Sequence, residues 1–325
     1  MTKKSLFAIT LLLAAAFTLR AQEGEIPVDY TPMSWSVLNH DIRSLAMGNT
    51  SSLSNQFGTS GIGNPASIVF FDYCLTDQRI GSKKGDTKEN FFTIGGTAGW
   101  HYYTPGDGYN HYTFASASTR IGIVGITASY LAGWKENAPW KWKSPCHQQI
   151  NIGVGVRVLP YLSVGANVKY LSENSWCYSN HFCADLFAMV DYSGLRATIG
   201  ARNLSGPFIW NSTSYRLPNS YVVGLGIKQD LLKILAFEVN GEYELFNYGG
   251  NYVHRGGVGA NLRFLGWISV SGGYNWGGNS PLPTYGSIGL GFRIIKIIDI
   301  EACYMFNRWG SGRLNMFGAQ LSLKF

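Results

Sequence analysis

The carboxy-terminal end of the chain carries the pattern that most restricts its fold. Leu321, Leu323 and Phe325 alternate with Gln320, Ser322 and Lys324, and the sequence stops on the aromatic. A period of two is strand spacing. A strand that is apolar on one face, polar on the other and closed by a terminal Phe looks like the last strand of a bacterial outer-membrane β-barrel. The alternation recurs upstream: Ile150, Ile152, Val154, Val156 and Val158 alternate with Asn151, Gly153, Gly155 and Arg157, and Leu235, Phe237, Val239, Tyr243 and Leu245 oppose Glu238, Asn240, Glu242 and Glu244. Only helices and closed barrels satisfy every backbone group in lipid. After the first residues no apolar run approaches the roughly 20 residues of a spanning helix. A chain of this kind enters a membrane as a barrel.

The amino terminus reads as an export signal over residues 1–21. Lys3 and Lys4 precede an apolar stretch from Ser5 to Leu19, and Ala21-Gln22 is a cleavage point with no Cys after it to take a lipid anchor. Residues 22–90 lack sustained alternation and are rich in Ser, Asn and Gly. Their place before the first strand suggests a hatch inside the barrel, with Gly63, Asn64, Pro65 and Ala66 as its motif, although Asn-Pro is also a common turn initiator. From 91 to 325 the pattern predicts strands near 91–103, 110–119, 121–132, 148–159, 161–172, 181–193, 195–203, 219–229, 233–245, 252–264, 266–277, 284–295, 298–307 and 314–325. That makes about fourteen, an even number, as in single-chain bacterial barrels. Predicted connections alternate short (119–120, 159–160, 193–194, 265–266, 295–297) and long (133–147, 172–181, 203–219, 277–284), which puts both termini on the periplasmic side.

Only 14% of the 325 residues are charged while 46% are hydrophobic, a balance that suits a surface facing lipid. The net charge of +7 is scattered over polar strand faces rather than gathered in one stripe, which excludes a nucleic-acid footprint. Turning those charges toward lipid would cost about 2–4 kcal/mol for a mid-membrane Arg or Lys, so they point inward. Arg157, Glu238, Glu242, Glu244, Arg255, Arg263, Arg293, Asp299 and Glu301 are expected to form a paired network in the lumen. The same acids could be a hydrolytic pair, but no Ser or His is singled out as nucleophile or base, and no catalytic residue is assigned.

Other chemistry has a plainer reading. Gly153-Val-Gly155, Gly224-Leu-Gly226 and Gly289-Leu-Gly291 resemble pieces of a dinucleotide fingerprint, yet none opens a helix after a strand. Glycines on an inward face instead point to close packing of hatch against wall. The five cysteines leave at least one unpaired, and a Cys146–Cys177 bridge is a candidate. The spacing of Cys146, His147, Cys177, His181 and Cys183 matches no common zinc site, so no metal or cofactor is expected. In the stretch from Trp134 to His147, Trp134, Trp140 and Trp142 alternate with Lys135, Lys141 and Lys143. Two readings stay open: an aromatic girdle at the membrane interface, or a contact surface for a partner or glycan.

Several short motifs in order carry a family resemblance. Arg43-Ser-Leu-Ala-Met-Gly-Asn-Thr50, Gly63-Asn-Pro-Ala66, Ala201-Arg-Asn-Leu204, Leu217-Pro218 and Leu321-Ser-Leu-Lys-Phe325 together resemble the PorV/PorQ family of Bacteroidetes outer-membrane proteins, itself related to FadL-type transporters. The resemblance implies a fourteen-stranded FadL-like barrel with a luminal hatch. It also implies a non-enzymatic role linked to type IX secretion or to anchoring a surface partner. The rival expectation is a FadL-like channel for hydrophobic small molecules, which would show an apolar pocket under the hatch and a lateral opening. A secretion factor would show a polar, closed lumen.

Overall fold

Fourteen strands close into one antiparallel up-and-down barrel in the computed structural model. The structure describes residues 33–54, 59–70, 91–103, 110–135, 145–174, 178–210, 212–232, 234–248, 251–277, 284–294, 297–307 and 315–325. The wall is β1 (Phe92–Tyr103), β2 (Asn110–Ile121), β3 (Val124–Lys135), β4 (His147–Leu159), β5 (Leu162–Asn174), β6 (Tyr178–Tyr192), β7 (Leu195–Leu204), β10 (Asn219–Leu232), β11 (Leu235–Tyr248), β12 (Asn251–Phe264), β13 (Ile268–Trp276), β14 (Tyr285–Ile294), β15 (Ile298–Phe306) and β16 (Asn315–Lys324). A small hairpin, β8 (Phe208–Trp210) and β9 (Thr213–Tyr215), sits in the connection between β7 and β10. Closure runs through β1 and β16, from Gly95 opposite Lys324 to Tyr103 opposite Met316. No sheet edge is left open in the wall, which lipid would not tolerate.

Every predicted strand is present, and the assigned faces hold. On β4 the outward Ile152 is 62% exposed while its neighbour Asn151 is 2% exposed. On β11, Glu238, Glu242 and Glu244 are buried toward the lumen, with Leu235, Phe237, Tyr243 and Leu245 on the other side. The exterior is an apolar surface of Ile, Leu, Val and aromatic side chains, and no described helix is long and apolar enough to cross a membrane. The chain is a membrane-type β-barrel.

Three connections differ from the sequence reading. The turn expected at 119–120 falls at Gly122-Ile123, because β2 runs on to Ile121 and β3 starts at Val124. The expected long loop 172–181 shrinks to 175–177, because β5 runs on to Asn174 and β6 starts at Tyr178. On the same rim, β11 and β12 are separated only by residues 249–250. Strand ends at this rim carry Tyr, Ser and Asn on both faces, so the alternation fades before the hydrogen-bond ladder does. The rim still holds the longest connections, 136–146 and 205–218, and the opposite rim keeps tight turns such as Gly122-Ile123 and Ser193-Gly194.

Residues 33–54 and 59–70 lie inside this barrel. They form a short 3₁₀ turn (Ser34–Val37), a helix α1 (Ile42–Ala46) and two further 3₁₀ turns (Ser51–Leu53 and Pro65–Phe70). From Ile42 to Phe70 nearly every described residue is buried, against inward faces all around the wall. No element is longer than six residues, so this irregular backbone depends on outside partners for its N–H and C=O groups.

Candidate functional site

Inward side chains of the wall supply those partners. Gln320 Oε1 accepts from Ile42 N at 3.0 Å, Ser287 Oγ donates to Ala46 O at 3.0 Å, Arg255 Nη1 to Asn49 O at 3.0 Å, and Arg196 Nη1 to Leu53 O at 2.7 Å. Glu242 Oε2 accepts from Ser52 N and Glu173 Oε2 from Met33 N, at 2.7 and 2.6 Å. The inward polar face is therefore a complement to one particular backbone trace.

Glycines complete the fit. Gly48, at the end of α1 with φ +67°, lies so close to β12 and β13 that a Cβ on it would strike the carbonyl oxygens of Val258 and Tyr274. From the wall side, a Cβ on Gly257 or Gly273 would strike Gly48, one on Gly155 would strike Pro65, and one on Gly165 would strike Ala66. Gly224 and Gly289 meet Ser52 and Ala46 in the same way. The fragments first noticed as Gly-x-Gly are thus partly contact points for the luminal segment. Gly153 and Gly291 instead leave room for wall side chains, Asn167 and Thr127 in one case and Ser269 in the other.

The expected motif Gly63, Asn64, Pro65 and Ala66 sits at one of these contacts. Asn64 Nδ2 donates to Ser52 O at 2.7 Å and to Thr198 Oγ1 at 3.2 Å, while its Oδ1 accepts from Ala66 N at 2.9 Å and opens the following 3₁₀ turn. Ser163 Oγ donates to Ala66 O at 2.7 Å, and Asn151 and Asn167 both reach Gly61 O. Asn-Pro does begin a turn, and the turn is bound to β4, β5 and β7.

The charge network forms in two groups. In one, Glu238 is held by Arg43 Nη2 at 2.7 Å and Arg196 Nη2 at 2.5 Å, and Arg43 also lies 3.6 Å from Glu301. In the other, Arg255 reaches Glu242 and Glu244, each at 2.5 Å, and Arg202 bonds Glu244 at 3.1 Å and Ser51 Oγ at 2.7 Å. Arg293 and Asp299 pair at 2.7 Å near the turn between their strands. Arg263 is buried beside these groups but enters no ion pair among the described residues. Arg157 lies half-buried at the shifted register next to the β4–β5 turn, apart from both groups.

Several participants were not visible in the sequence reading. Arg43 comes from the segment without periodicity, so no parity pointed it at Glu238. Lys169 and Asp185 pair at 2.7 Å, and Asn203, at φ +55°, joins them to Pro218 and Ser36 through Lys169 Nζ (2.6 Å), Asp185 Oδ1 (2.8 Å), Pro218 O (3.2 Å) and Ser36 Oγ (3.5 Å). The motifs Ala201–Leu204 and Leu217-Pro218 are where that knot forms. They had been noticed only as a pattern.

At the rim with the longest connections the lumen changes character. Met33, Trp35, Ile42, Leu45, Tyr112, Phe114, Leu131, Leu171, Phe208, Leu217, Tyr285, Met305 and Met316 pack into one apolar cluster between segment, wall and hairpin. Embedded in it are His40, His101 and His147, all at most 2% exposed.

Two expectations are corrected. Cys146 is a free buried thiol, as are Cys183 and Cys303; Cys177, the other half of the expected bridge, lies outside the described residues. Trp134 is not in a loop. It belongs to β3, opposite His111 of β2, because the strand runs on to Lys135, and it is half-buried on the outward face as a girdle residue would be. Trp140 and Trp142 lie outside the described residues. Among the described residues no group of three or more His, Cys, Asp or Glu is arranged to hold a metal.

The fold and lumen define the class: a fourteen-stranded membrane-type β-barrel occupied by its own amino-terminal segment. Solved structures share this fold. A TodX monoaromatic hydrocarbon channel variant lacking S2 and S3 superposes with TM-score 0.54 at 11% identity, over 89% of this chain and 99% of that one. A TodX variant lacking S2 gives 0.53 at 10% identity, over 88% and 97%. No protein-family model matches the chain, and no curated protein matches it.

Proposed function

We propose that this chain is a non-enzymatic bacterial outer-membrane channel for small hydrophobic molecules, with both termini periplasmic and the segment 22–90 acting as its hatch. The observation that carries the reading is the apolar cluster at the long-connection rim, where Trp35, Tyr112, Phe114, Phe208, Met305 and Met316 meet between segment and wall. These side chains are buried and pack segment against wall; they lie on the long-connection side of the charged groups, so an apolar molecule crossing the lumen would pass along them once the segment moves. The fold neighbour TodX is a monoaromatic hydrocarbon channel, which agrees with this choice.

A second reading is favoured by a different observation. Below the apolar layer the lumen is polar and its wall is closed, as a PorV/PorQ-type factor would have it, and such a factor would hold a surface or type IX secretion protein at the rim. Trp140 and Trp142 would then belong to its contact surface. One experiment separates the two. The tagged protein, purified from native outer membranes in mild detergent, is analysed by mass spectrometry for small molecules and proteins together. Co-purifying apolar small molecules support the channel. A stoichiometric surface or secretion protein without them would overturn it in favour of the second reading.

A further inference from the structure

Three histidines that no part of the charge network uses converge where the luminal segment meets the wall. His40, from the segment, has Nδ1 2.7 Å from Nε2 of His101 on β1. Both rings pack against Tyr112 of β2 at 5.1 Å. Tyr112 is also 3.1 Å from Nδ1 of His147 on β4, and His147 stacks on Trp35 of the segment at 4.9 Å. A neutral imidazole has one N–H, so the His40–His101 bond forms only while at least one ring is neutral. Two imidazolium rings have no lone pair to share and repel each other.

The surroundings offer a new charge little help. The nearest carboxylate on the segment is Asp41, and it is committed: Oδ1 accepts from Arg43 N and Gln320 Nε2, each at 3.3 Å, and Oδ2 from Ser44 Oγ and from Ser54 Oγ at 2.7 Å. From β5, Glu173 lies 4.0 Å from His147 Nε2, but its Oε2 already holds Met33 N and Trp35 Nε1. Arg43 is turned to Glu238 and Glu301, and the titratable group that β15 brings to this cluster is the free thiol of Cys303, beside Met305. Burial first, then the imidazoles of His101 and His147, hold His40 well below the usual imidazole range. A histidine depressed in this way favours the docked state above its free value of about 6.5, and that preference fades as the pH falls below it.

We infer that His40 and His101 form an acid-sensitive latch, which ties the luminal segment to the wall at neutral pH and releases it in acid. The inference rests on the reading of that segment as the element that closes the lumen. Each imidazole that must stay neutral weakens docking by roughly tenfold per pH unit below about 6.5. Between pH 7.5 and 5.0 the docked-to-released ratio should therefore drop about thirtyfold through one ring and about a thousandfold through both.

Single-channel recording in planar bilayers tests this with four proteins: the full chain, His40→Gln, His101→Gln, and a chain lacking residues 40–70, each first checked for a heat-modifiable barrel band. The full chain should be closed at pH 7.5 and open frequently at pH 5.0. Each Gln variant, which can still hydrogen-bond but does not titrate, should respond to acid by no more than the thirtyfold of the ring that remains, and the deletion should conduct at both pH values. If the deletion conducts while the full chain stays closed at pH 5.0, or if both Gln variants keep the full chain's response, the latch is overturned and the hatch reading survives. If the deletion fails to conduct, the hatch reading falls and takes the latch with it. Should one variant fail to assemble, the other, on the opposite side of the bond, carries the test.

Discussion

Replacing Arg43 by Met should loosen the luminal segment without opening the wall. The guanidinium of Arg43 donates to Glu238 at 2.7 Å and lies 3.6 Å from Glu301. Removing one partner of a buried ion pair costs about 3–5 kcal/mol when the other charge is stranded. Glu238 is not wholly stranded, since Arg196 at 2.5 Å and Asn240 at 3.0 Å remain, and Glu301 keeps Gln320 at 2.7 Å. The lower end of the range, about 3 kcal/mol, is therefore expected. At 1.4 kcal/mol per tenfold that is a loss of roughly 100-fold in docking. Amide hydrogen exchange by mass spectrometry at fixed pH reads it directly: protection over residues 42–54 should fall by about that factor, while β11 and β12 hold theirs. A double-mutant cycle with Glu238→Gln should return a coupling of about 2 kcal/mol. Unchanged exchange over 42–54, or an equal loss across β11, would refute the claim that this arginine ties segment to wall.

Three other outcomes follow from the same geometry. Gly273→Val places side-chain atoms on the backbone of Gly48, so the barrel should still show heat-modifiable migration while residues 42–54 become accessible to protease. Ile152→Arg, on the outward face at mid-strand, should lower barrel stability by about 2–4 kcal/mol in urea titrations from lipid, whereas Ile152→Val should change it by less than about 1.5 kcal/mol. Trp140→Ala together with Trp142→Ala should leave assembly intact and, under the PorV/PorQ reading, weaken capture of the surface partner in pull-downs; under the channel reading capture is absent from the start.

The wall was legible because lipid demands it. A residue on β4 or β11 faces either hydrocarbon or lumen, and a one-residue slip would reverse every side chain, so the alternation survives without help from distant contacts. That rule weakens at the rims, where polar residues such as Tyr170 and Asn174 stand on the outward side, and there the strand ends were misplaced. Inside, the acids Glu238, Glu242 and Glu244 could be assigned by parity, but their partners could not all be. Arg43 and His40 lie in a stretch with no period, and their meeting with Glu238 and His101 depends on how that stretch is threaded. Gly257 and Gly273 look like weak strand residues until Gly48 is placed against them. Trp134 was read as a loop residue because the alternation of β3 gives way near Gly133 and the turn formers Asn137 and Pro139 follow.

Closure of the barrel by the amino-terminal segment, as proposed, is read out by single-channel conductance at neutral pH, comparing the full chain with the chain lacking residues 40–70 in the same bilayer. A closed full-length protein and a steady, large conductance after the deletion are expected. Equal conductance in the two, with both barrels assembled, would contradict that closure.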